Sequence, residues 1–215
     1  MNHIIKLLCA ILVSAAAMSF GQEREVLFNG ENLDGWVVYV KDDAVKAEDY
    51  AYVKDGVIET IGKPVGYLRT EKVYSNYKLH VEWRYPEKAE NSGILLHATG
   101  PDLIWKAHYQ AQLKHENAGD FIVHGVGQRA TLAAVEYVST EENKPVIPKT
   151  HPTNENPAGE WNAYDITCKG DFIEIRVNEL VQNVAYDLSV TAGNIGLQVE
   201  GCKIQFRNLW IEPIE

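Results

Sequence analysis

The sequence predicts an all-β fold, a two-sheet antiparallel β-sandwich of the jelly-roll kind. Three observations predict it: apolar side chains recur at every second residue in several segments, turn-forming residues separate those segments, and no amphipathic helical pattern of useful length competes. Strands with one apolar and one polar face bury the apolar face against a second sheet. The chain of 215 residues, 46% of them hydrophobic and 23% charged, is long enough to form that core.

Residues 1–21 are predicted to be an export signal. Lys6 lies near the start, an apolar run covers Leu7–Met18, and small residues close the segment at Gly21. The alternative is a single membrane anchor, which the shortness of the run disfavours. The sequence therefore predicts an exported protein, periplasmic or extracellular, with one domain over residues 22–215 and no further membrane span.

Period-two alternation marks the strands. In the predicted strand Leu79–Tyr85, apolar side chains occupy the odd-numbered positions, while His80, Glu82 and Arg84 occupy the even-numbered ones. The predicted strands are Leu79–Tyr85, Tyr109–Leu113, Ile173–Val177, Ile195–Glu200 and Ile204–Arg207. The predicted hairpin turns are Lys54–Gly56, Lys169–Asp171, Val177–Glu179 and Glu200–Gly201.

Two further segments carry structural expectations. Thr140–Glu160 contains four prolines and is predicted to be a long surface loop, of the kind that often lines a site. Cys168 and Cys202 remain after the export signal, and each lies on an apolar strand face. An exported protein permits a disulfide, and a buried free thiol fits the same positions equally well, so both alternatives stay open.

Composition and motifs exclude several function classes. Lys and Arg number 20 against 30 Asp and Glu, a net charge of -10, which disfavours nucleic acids and anionic membranes as partners. The sequence contains no serine-hydrolase elbow, no zincin helix, no phosphate loop and no paired Cys-Xaa-Xaa-Cys. The strand carboxylate pair of ordinary sandwich glycosidases is absent as well.

The polar faces of consecutive strands suggest a sugar site. Amide, carboxylate and guanidinium groups make paired hydrogen bonds to sugar hydroxyls, and aromatic rings cover the apolar faces of sugars. We expect the polar side chains of three consecutive strands to share one surface. They are Glu82 and Arg84 with His80, then His97, then His108, Gln110 and Gln112.

Trp105 lies in a turn-like stretch and is the favoured ring for a ligand platform, whereas Trp83 and Trp210 fall on apolar faces and are expected in the core. Each charged candidate also has a purely structural alternative. Glu82 and Arg84 could form cross-strand salt bridges, His97 could be a hydrogen-bonded core histidine, and Asp120 could hold a tight turn.

The order of motifs resembles one family. Phe28–Trp36 reads FNGENLDGW, which is similar to the opening FNGKDLSGW of the 3-keto-disaccharide hydrolase domain family, abundant in secreted proteins of Bacteroidetes and Planctomycetes. The resemblance continues in family order through the rest of the chain. The matching segments are Tyr67–Thr70, Tyr77–Arg84, Asn91–His97, Gln112–Leu113, Asn117–Phe121, Glu160–Ile166, Gly196–Gln198 and Phe206–Asn208.

The resemblance implies a concanavalin- or laminin-G-like jelly roll and hydrolysis of glycosides already oxidised to a ketone at C3. The ketone acidifies the C2 proton, so a base can form an enolate, the C1 substituent leaves by elimination, and water then adds. Such a site needs a base, a donor for the enolate oxygen and an acid for the leaving group. The partner it implies is a small oxidised carbohydrate.

Roles follow from the resemblance as hypotheses. Glu82 or His97 would be base and acid, Arg84 with Gln112 would donate to the enolate or hydroxyls, and Asp120 would be a second carboxylate or orienting group. The remaining candidates are assigned to substrate binding: Gln110, Asn91, Ser92, Trp105 and His108.

One departure from the family weakens the catalytic interpretation. Many members have Glu-Xaa-Gln-Leu where this chain has Gln110-Ala111-Gln112-Leu113. The alternative function is therefore a non-catalytic, lectin-like carbohydrate-binding module. Loop oxygens of sandwiches can hold calcium, but the sequence shows no compact ligand motif, so no metal ligand is assigned. The oligomeric state is not predicted.

Overall fold

The computed structural model of the protein describes residues 23–42 and 44–215, so the predicted export signal lies outside the described residues. Within them, two large antiparallel sheets and one hairpin form almost all regular structure. The strands are β1 Glu25–Val26, β2 Trp36–Val40, β3 Ala51–Lys54, β4 Val57–Thr60, β5 Gly66–Thr70, β6 Tyr77–Arg84, β7 Gly93–Thr99, β8 Ala107–Gln112, β9 Phe121–His124, β10 Arg129–Leu132, β11 Val135–Val138, β12 Val146–Ile147, β13 Asn162–Lys169, β14 Phe172–Val177, β15 Leu180–Ala185, β16 Asn194–Val199 and β17 Gln205–Pro213. One short helix, α1, covers Ala47–Tyr50.

The two large sheets are named here sheet A and sheet B. Sheet A has the order β15-β14-β13-β6-β17-β4-β3, and β1 also pairs with β17. Sheet B has the order β12-β9-β8-β7-β16-β5-β2. The hairpin β10-β11 forms a separate two-stranded sheet. The all-β sandwich predicted from the sequence is confirmed.

The core lies between the inner faces of the two sheets. Because side chains alternate along a strand, every second residue of each strand points into it. In β6, Leu79, Val81 and Trp83 are buried, while the even positions are half-buried or exposed. Trp83 stacks on Tyr164 of the neighbouring strand, with ring centroids 4.7 Å apart. The expectation for Trp83 is confirmed.

Two of the predicted hairpin turns show why the chain reverses there. Asp55 and Gly56 between β3 and β4 have φ of 52° and 76°, and Asn178 and Glu179 between β14 and β15 have φ of 43° and 71°. Two consecutive positive φ angles match the twist of the flanking strands, and Asp, Asn and Gly tolerate them best.

Three local expectations need correction. Glu200–Gly201 is not a hairpin turn, because β16 belongs to sheet B and the following β17 to sheet A. The loop Thr140–Glu160 is not wholly irregular, because β12 within it pairs with β9 and forms an edge of sheet B. Trp210 is not a core residue, because it lies half-buried against the His80 ring, with centroids 5.0 Å apart.

The cysteine alternatives are resolved in favour of free thiols. Cys168 is fully buried in the core, and Cys202 is half-buried, with no disulfide between them. Among the described residues, no helix is long and apolar enough to cross a membrane.

Candidate active site

The outer face of sheet B carries the densest set of polar side chains from the sequence prediction. In β8, Tyr109 and Ala111 turn inward, so the alternation places His108, Gln110 and Gln112 on the outer face. The strand register then sets their neighbours, since His108 pairs with His124 and Gln112 with Gly93.

Three glutamines form a hydrogen-bonded ladder across this face. Gln110 Nε2 donates to Gln112 Oε1 and to Gln198 Oε1, both at 3.1 Å. Gln198 lies on β16 and is buried, as are Gln110 and Gln112. Because the amide hydrogens of Gln110 are both used, the remaining side-chain N–H donors of the ladder belong to Gln112 and Gln198.

The carboxylate of Glu200 lies at one end of the glutamine ladder. Glu200 Oε2 accepts hydrogen bonds from Gln198 Nε2 at 2.8 Å and from Asn91 Nδ2 at 2.9 Å. Oε1 of Glu200 accepts no hydrogen bond from the described residues. Glu200 therefore presents one oriented, unoccupied carboxylate oxygen beside the glutamines.

Two histidines and a tryptophan stack at the other end. The His108 and His124 rings lie 4.3 Å apart, and the Trp105 ring lies 5.8 Å from His124 at an interplanar angle of 6°. Trp105 is half-exposed, and its role as a ligand platform stays a prediction.

The protonation of His108 is fixed by its surroundings. Its Nδ1 lies 2.6 Å from the Lys106 carbonyl oxygen and its Nε2 lies 3.3 Å from Gln110 Oε1. Both oxygens are acceptors, so a neutral ring donates to only one of them, and the shorter distance favours the proton on Nδ1. Burial lowers the pKa of His108 to about 4, and burial also holds the pKa of His124 well below its ordinary value. Both rings are neutral at physiological pH.

A loop covers this face. The roof segment, Gly100–Lys106, connects β7 to β8 and folds over the sheet from which it comes. Beneath it lies a cavity of about 10 Å³. The residues around the cavity are Val65, Gly66, Tyr67, Leu95, Ile104, Trp105, His108, Gln110 and Gln198.

The expectation that Glu82 and Arg84 share a surface with Gln110 is wrong. Both point outward from sheet A, whereas Gln110 points outward from sheet B, so the two sheets and the core separate them. The cause is topological: β6 and β7 are consecutive in the chain but belong to different sheets.

Glu82 and Arg84 are engaged on sheet A. Glu82 accepts hydrogen bonds from Arg207 and Asn208, both at 2.6 Å. Burial raises the pKa of Glu82, but these two hydrogen bonds outweigh it and lower the pKa overall. Arg84 Nε donates to Gln205 at 2.6 Å, and the Arg84 guanidinium lies 4.6 Å from the centre of the Trp161 ring. Glu82 thus forms a cross-strand salt bridge, with Arg207 and not with Arg84, and Arg84 forms no salt bridge among the described residues.

His97 and Ser92 contact the protein interior. His97 Nδ1 donates to the Val190 carbonyl at 3.2 Å, its ring meets Tyr77 edge-on, and burial lowers its pKa. Ser92 Oγ donates to the Gln198 carbonyl at 2.6 Å and is fully buried. His97 is separated from His108 by sheet B itself, and Ser92 supports the strand that carries Gln198.

Asp120 pairs with Gln112 across the sheet-B face and lies at its edge. Its carboxylate accepts a hydrogen bond from the Lys149 backbone N–H at 2.9 Å, and Lys149 Nζ lies 3.8 Å away. Asp120 thereby holds the proline-rich loop 140–160 against β9.

Sequence reasoning missed Gln198, Glu200, Arg69 and His124. Gln198 and Glu200 occupy the polar positions of a predicted strand, which was the available signal. They were overlooked because β16 pairs with β7 across about a hundred residues of chain, and a sequence period does not show which strands become neighbours.

Among residues 23–42 and 44–215, no group of three or more His, Cys, Asp or Glu side chains is arranged to hold a metal ion. The calcium expected as an alternative stays a prediction, since backbone and amide oxygens can also hold that ion.

A family model and several solved structures resemble the chain. A family model described as 3-keto-alpha-glucoside-1,2-lyase-like domain matches residues 23–212. A "putative glycosyl hydrolase" from Parabacteroides distasonis superposes with a TM-score of 0.64 at 21% identity, covering 89% of this chain and 94% of that one. No curated protein matches the chain significantly.

More distant structures share the fold alone. The β-glucanase of Bacillus licheniformis has a TM-score of 0.58 at 11% identity, covering 92% of this chain and 100% of its own. The carbohydrate-binding module CBM66 of Bacillus subtilis has a TM-score of 0.52 at 12% identity, covering 81% and 93%. Enzymes and binding modules thus both occur on this jelly roll.

Proposed function

The chain belongs to the family of 3-keto-alpha-glucoside-1,2-lyase-like domains, and we propose that it cleaves the glycosidic bond of 3-keto-glycosides on the outer face of sheet B. The family name describes elimination across C1 and C2 of a sugar with a C3 ketone. That chemistry needs a single base and no oxocarbenium-stabilising carboxylate pair, which fits a face whose polar groups are mostly amides.

Glu200 is the proposed base. Its free Oε1 takes the proton from C2, and the electron pair of that bond forms the C2=C3 double bond of an enolate with the charge on the C3 oxygen. Collapse of the enolate expels the C1 oxygen, to which protonated Glu200 returns the proton. Water then adds to the unsaturated sugar, so the overall reaction consumes one water and yields the 3-keto sugar and the free alcohol.

The glutamine ladder supplies the complementary donors. The free side-chain N–H groups of Gln112 and Gln198 can donate to the enolate oxygen, and oriented donors at a developing negative charge lower the barrier. Gln110 holds both neighbours in place through its two 3.1 Å hydrogen bonds. Trp105 offers a ring for the sugar face.

One observation carries this proposal: the unoccupied Oε1 of Glu200, oriented because Asn91 and Gln198 both bind Oε2. The carboxylate is thus fixed in position while one oxygen remains available.

Gln110 favours a second candidate, a carbohydrate-binding module without catalysis. A carboxamide at the centre of the face cannot transfer a proton, whereas the glutamate of many family members can. In that case the ladder would bind sugar hydroxyls and Glu200 would only accept a hydrogen bond.

Release of 3-keto-glucose from a panel of 3-keto-glycosides and their unoxidised parents tests the proposal. We expect release from the keto substrates alone. Binding of the keto sugar by calorimetry without any release would support the binding module instead. Repeating the assay after chelation tests whether a divalent cation takes part.

We also propose that the protein is exported. The support is the apolar segment Leu7–Met18 behind Lys6 and the carbohydrate-active family. N-terminal sequencing of protein from the periplasm or medium should begin near Gln22, whereas a retained Met1 on membrane-bound protein would indicate an anchor.

A further inference from the structure

The middle of the glutamine ladder is covered although it lies on the outer face of a sheet, whereas Glu200 at the end of the ladder is half-buried. Gln110, Gln198 and His108 are 2%, 4% and 1% exposed. The space between them and the roof segment is about 10 Å³, which holds a single water molecule and no sugar ring. A substrate can reach Gln110 and Gln198 only when the roof segment lifts.

The roof segment is held down by side chains alone. In the described chain its only backbone–backbone hydrogen bond outside the strands runs from Lys106 N–H to Leu103 O and is internal to the segment, and the Lys106 carbonyl accepts a hydrogen bond from the His108 side chain. Gly100 at its start has a φ of 81°, and a Cβ there would touch nothing within 4 Å. The segment therefore has a free hinge at one end and no backbone ladder to break.

One carboxylate makes most of the attachment. Asp102 accepts two hydrogen bonds from Arg69, Nε to Oδ1 and Nη2 to Oδ2, both at 2.7 Å. Oδ1 also accepts hydrogen bonds from the Tyr67 hydroxyl at 2.9 Å and from Lys106 Nζ at 3.2 Å. Arg69 and Tyr67 belong to β5 of sheet B, so this carboxylate joins the roof segment to the sheet.

The chemistry of the attachment suits a reversible latch. A bidentate guanidinium–carboxylate pair is strong and directional, yet it can be re-formed after opening without any change in backbone pairing. Hydrogen bonds from Arg69 hold the pKa of Asp102 well below its usual range, so the carboxylate stays charged and paired in the closed form.

We propose that Gly100–Lys106 is a lid over the site on sheet B, and that Asp102 and Arg69 are the latch that sets how often it opens. Both are positioning residues, because they act through the placement of Trp105 and Ile104. The inference rests on the proposed function for its biological meaning, but lid opening itself can be measured without substrate.

The test places a reporter thiol beneath the lid. Leu95 is buried and borders the cavity, so Leu95→Cys in a Cys202→Ser background reacts with iodoacetamide only while the lid is open. Gln198→Cys serves as a second reporter if the first fails to fold, as judged by circular dichroism. When opening is fast and reversible, the labelling rate tracks the open population.

Adding Asp102→Asn or Arg69→Gln to the reporter should raise the labelling rate at least about tenfold, because each removes charge-assisted hydrogen bonds from the latch. Asp165→Asn is the matched control, since that carboxylate binds His80 on sheet A, and it should leave the rate unchanged. Equal rates in all variants would overturn the lid.

The kinetic readout separates this inference from the proposed function. On 3-keto-glycosides, the latch variants should keep a measurable kcat while KM rises, because the closed complex is weakened and no reacting group is removed. Faster labelling with no turnover in any form would keep the lid and reject the lyase-type reaction.

Discussion

Gln110 occupies the space directly above Gly93. The Nε2 atom of Gln110 lies 2.5 Å from the position that a Cβ on residue 93 would take, and the Cδ atom lies 2.7 Å from it. The absence of a side chain on β7 thus lets the central amide of β8 lie across the sheet and reach Gln198 on β16. The ladder depends on this glycine.

Gly93→Ala should disrupt the site with little effect on the fold. The new methyl group must displace the Gln110 amide, which breaks both 3.1 Å hydrogen bonds, and we expect at least about a tenfold loss of turnover or sugar affinity. The melting temperature and the sugar assay measure the two effects. Gly196→Ala is the control, because its Cβ would contact Leu95 at 3.1 Å and no glutamine. Unaltered sugar handling in Gly93→Ala would show that the ladder is not the site.

His108 should titrate far below an ordinary histidine. Burial lowers its pKa to about 4, so the folded protein keeps it neutral while the unfolded chain takes up a proton near pH ~6.5. The unfolded state therefore binds more protons between these values, and stability falls as the pH falls. An NMR titration of the His108 ring should show only about a tenth of the rings protonated at pH 5, and a midpoint near 6.5 would contradict the buried neutral form.

His108→Asn should also flatten the pH dependence of stability. We expect the variant to lose less of its free energy of unfolding than the parent between pH 7 and pH 5. His97 and His124, whose pKa values are lowered by burial as well, keep part of the slope in the variant.

Cys168 and Cys202, the two cysteines of a chain that begins near Gln22, should both be recovered as thiols. Burial raises the pKa of Cys168 to about 12 and also raises the pKa of Cys202, so neither is reactive in the folded protein. Alkylation in denaturant without reductant should add two labels by mass spectrometry. Two labels that appear only after reduction would indicate a disulfide instead.

The sequence predicted the fold well because the alternation of apolar and polar residues along a strand is visible within a few neighbouring positions. The alternation in β6 and the residues of the turn at Asp55–Gly56 are each contained in a few neighbouring positions, and both agree with the structure. The expected site was only half right because strand pairing is not local. His108, Gln110 and Gln112 share a face through one strand, but Glu82 was assigned to that face through chain order alone.

The site residues that the sequence did not indicate were missed for the same reason, because their contacts join distant segments of the chain. Glu200 meets Asn91 through a bridge between segments 109 residues apart, and Arg69 meets Asp102 across 33 residues. Nothing in either local pattern indicates such a meeting. The resemblance to a family supplied the motifs around Gln112 and Gln198 without indicating that they form one ladder.

The central claim is tested most directly by comparing Glu200→Gln with Glu82→Gln. Both substitutions replace a carboxylate with an isosteric amide, one at the end of the ladder on sheet B and the other within the Arg207 and Asn208 hydrogen bonds on sheet A. Turnover of a 3-keto-glycoside is measured for each variant and for the parent.

We expect Glu200→Gln to lower kcat by at least about a hundredfold, because an amide cannot accept the C2 proton, and Glu82→Gln to stay within about threefold of the parent. The reverse pattern, with turnover lost in Glu82→Gln and kept in Glu200→Gln, would place the reaction on sheet A and contradict the account.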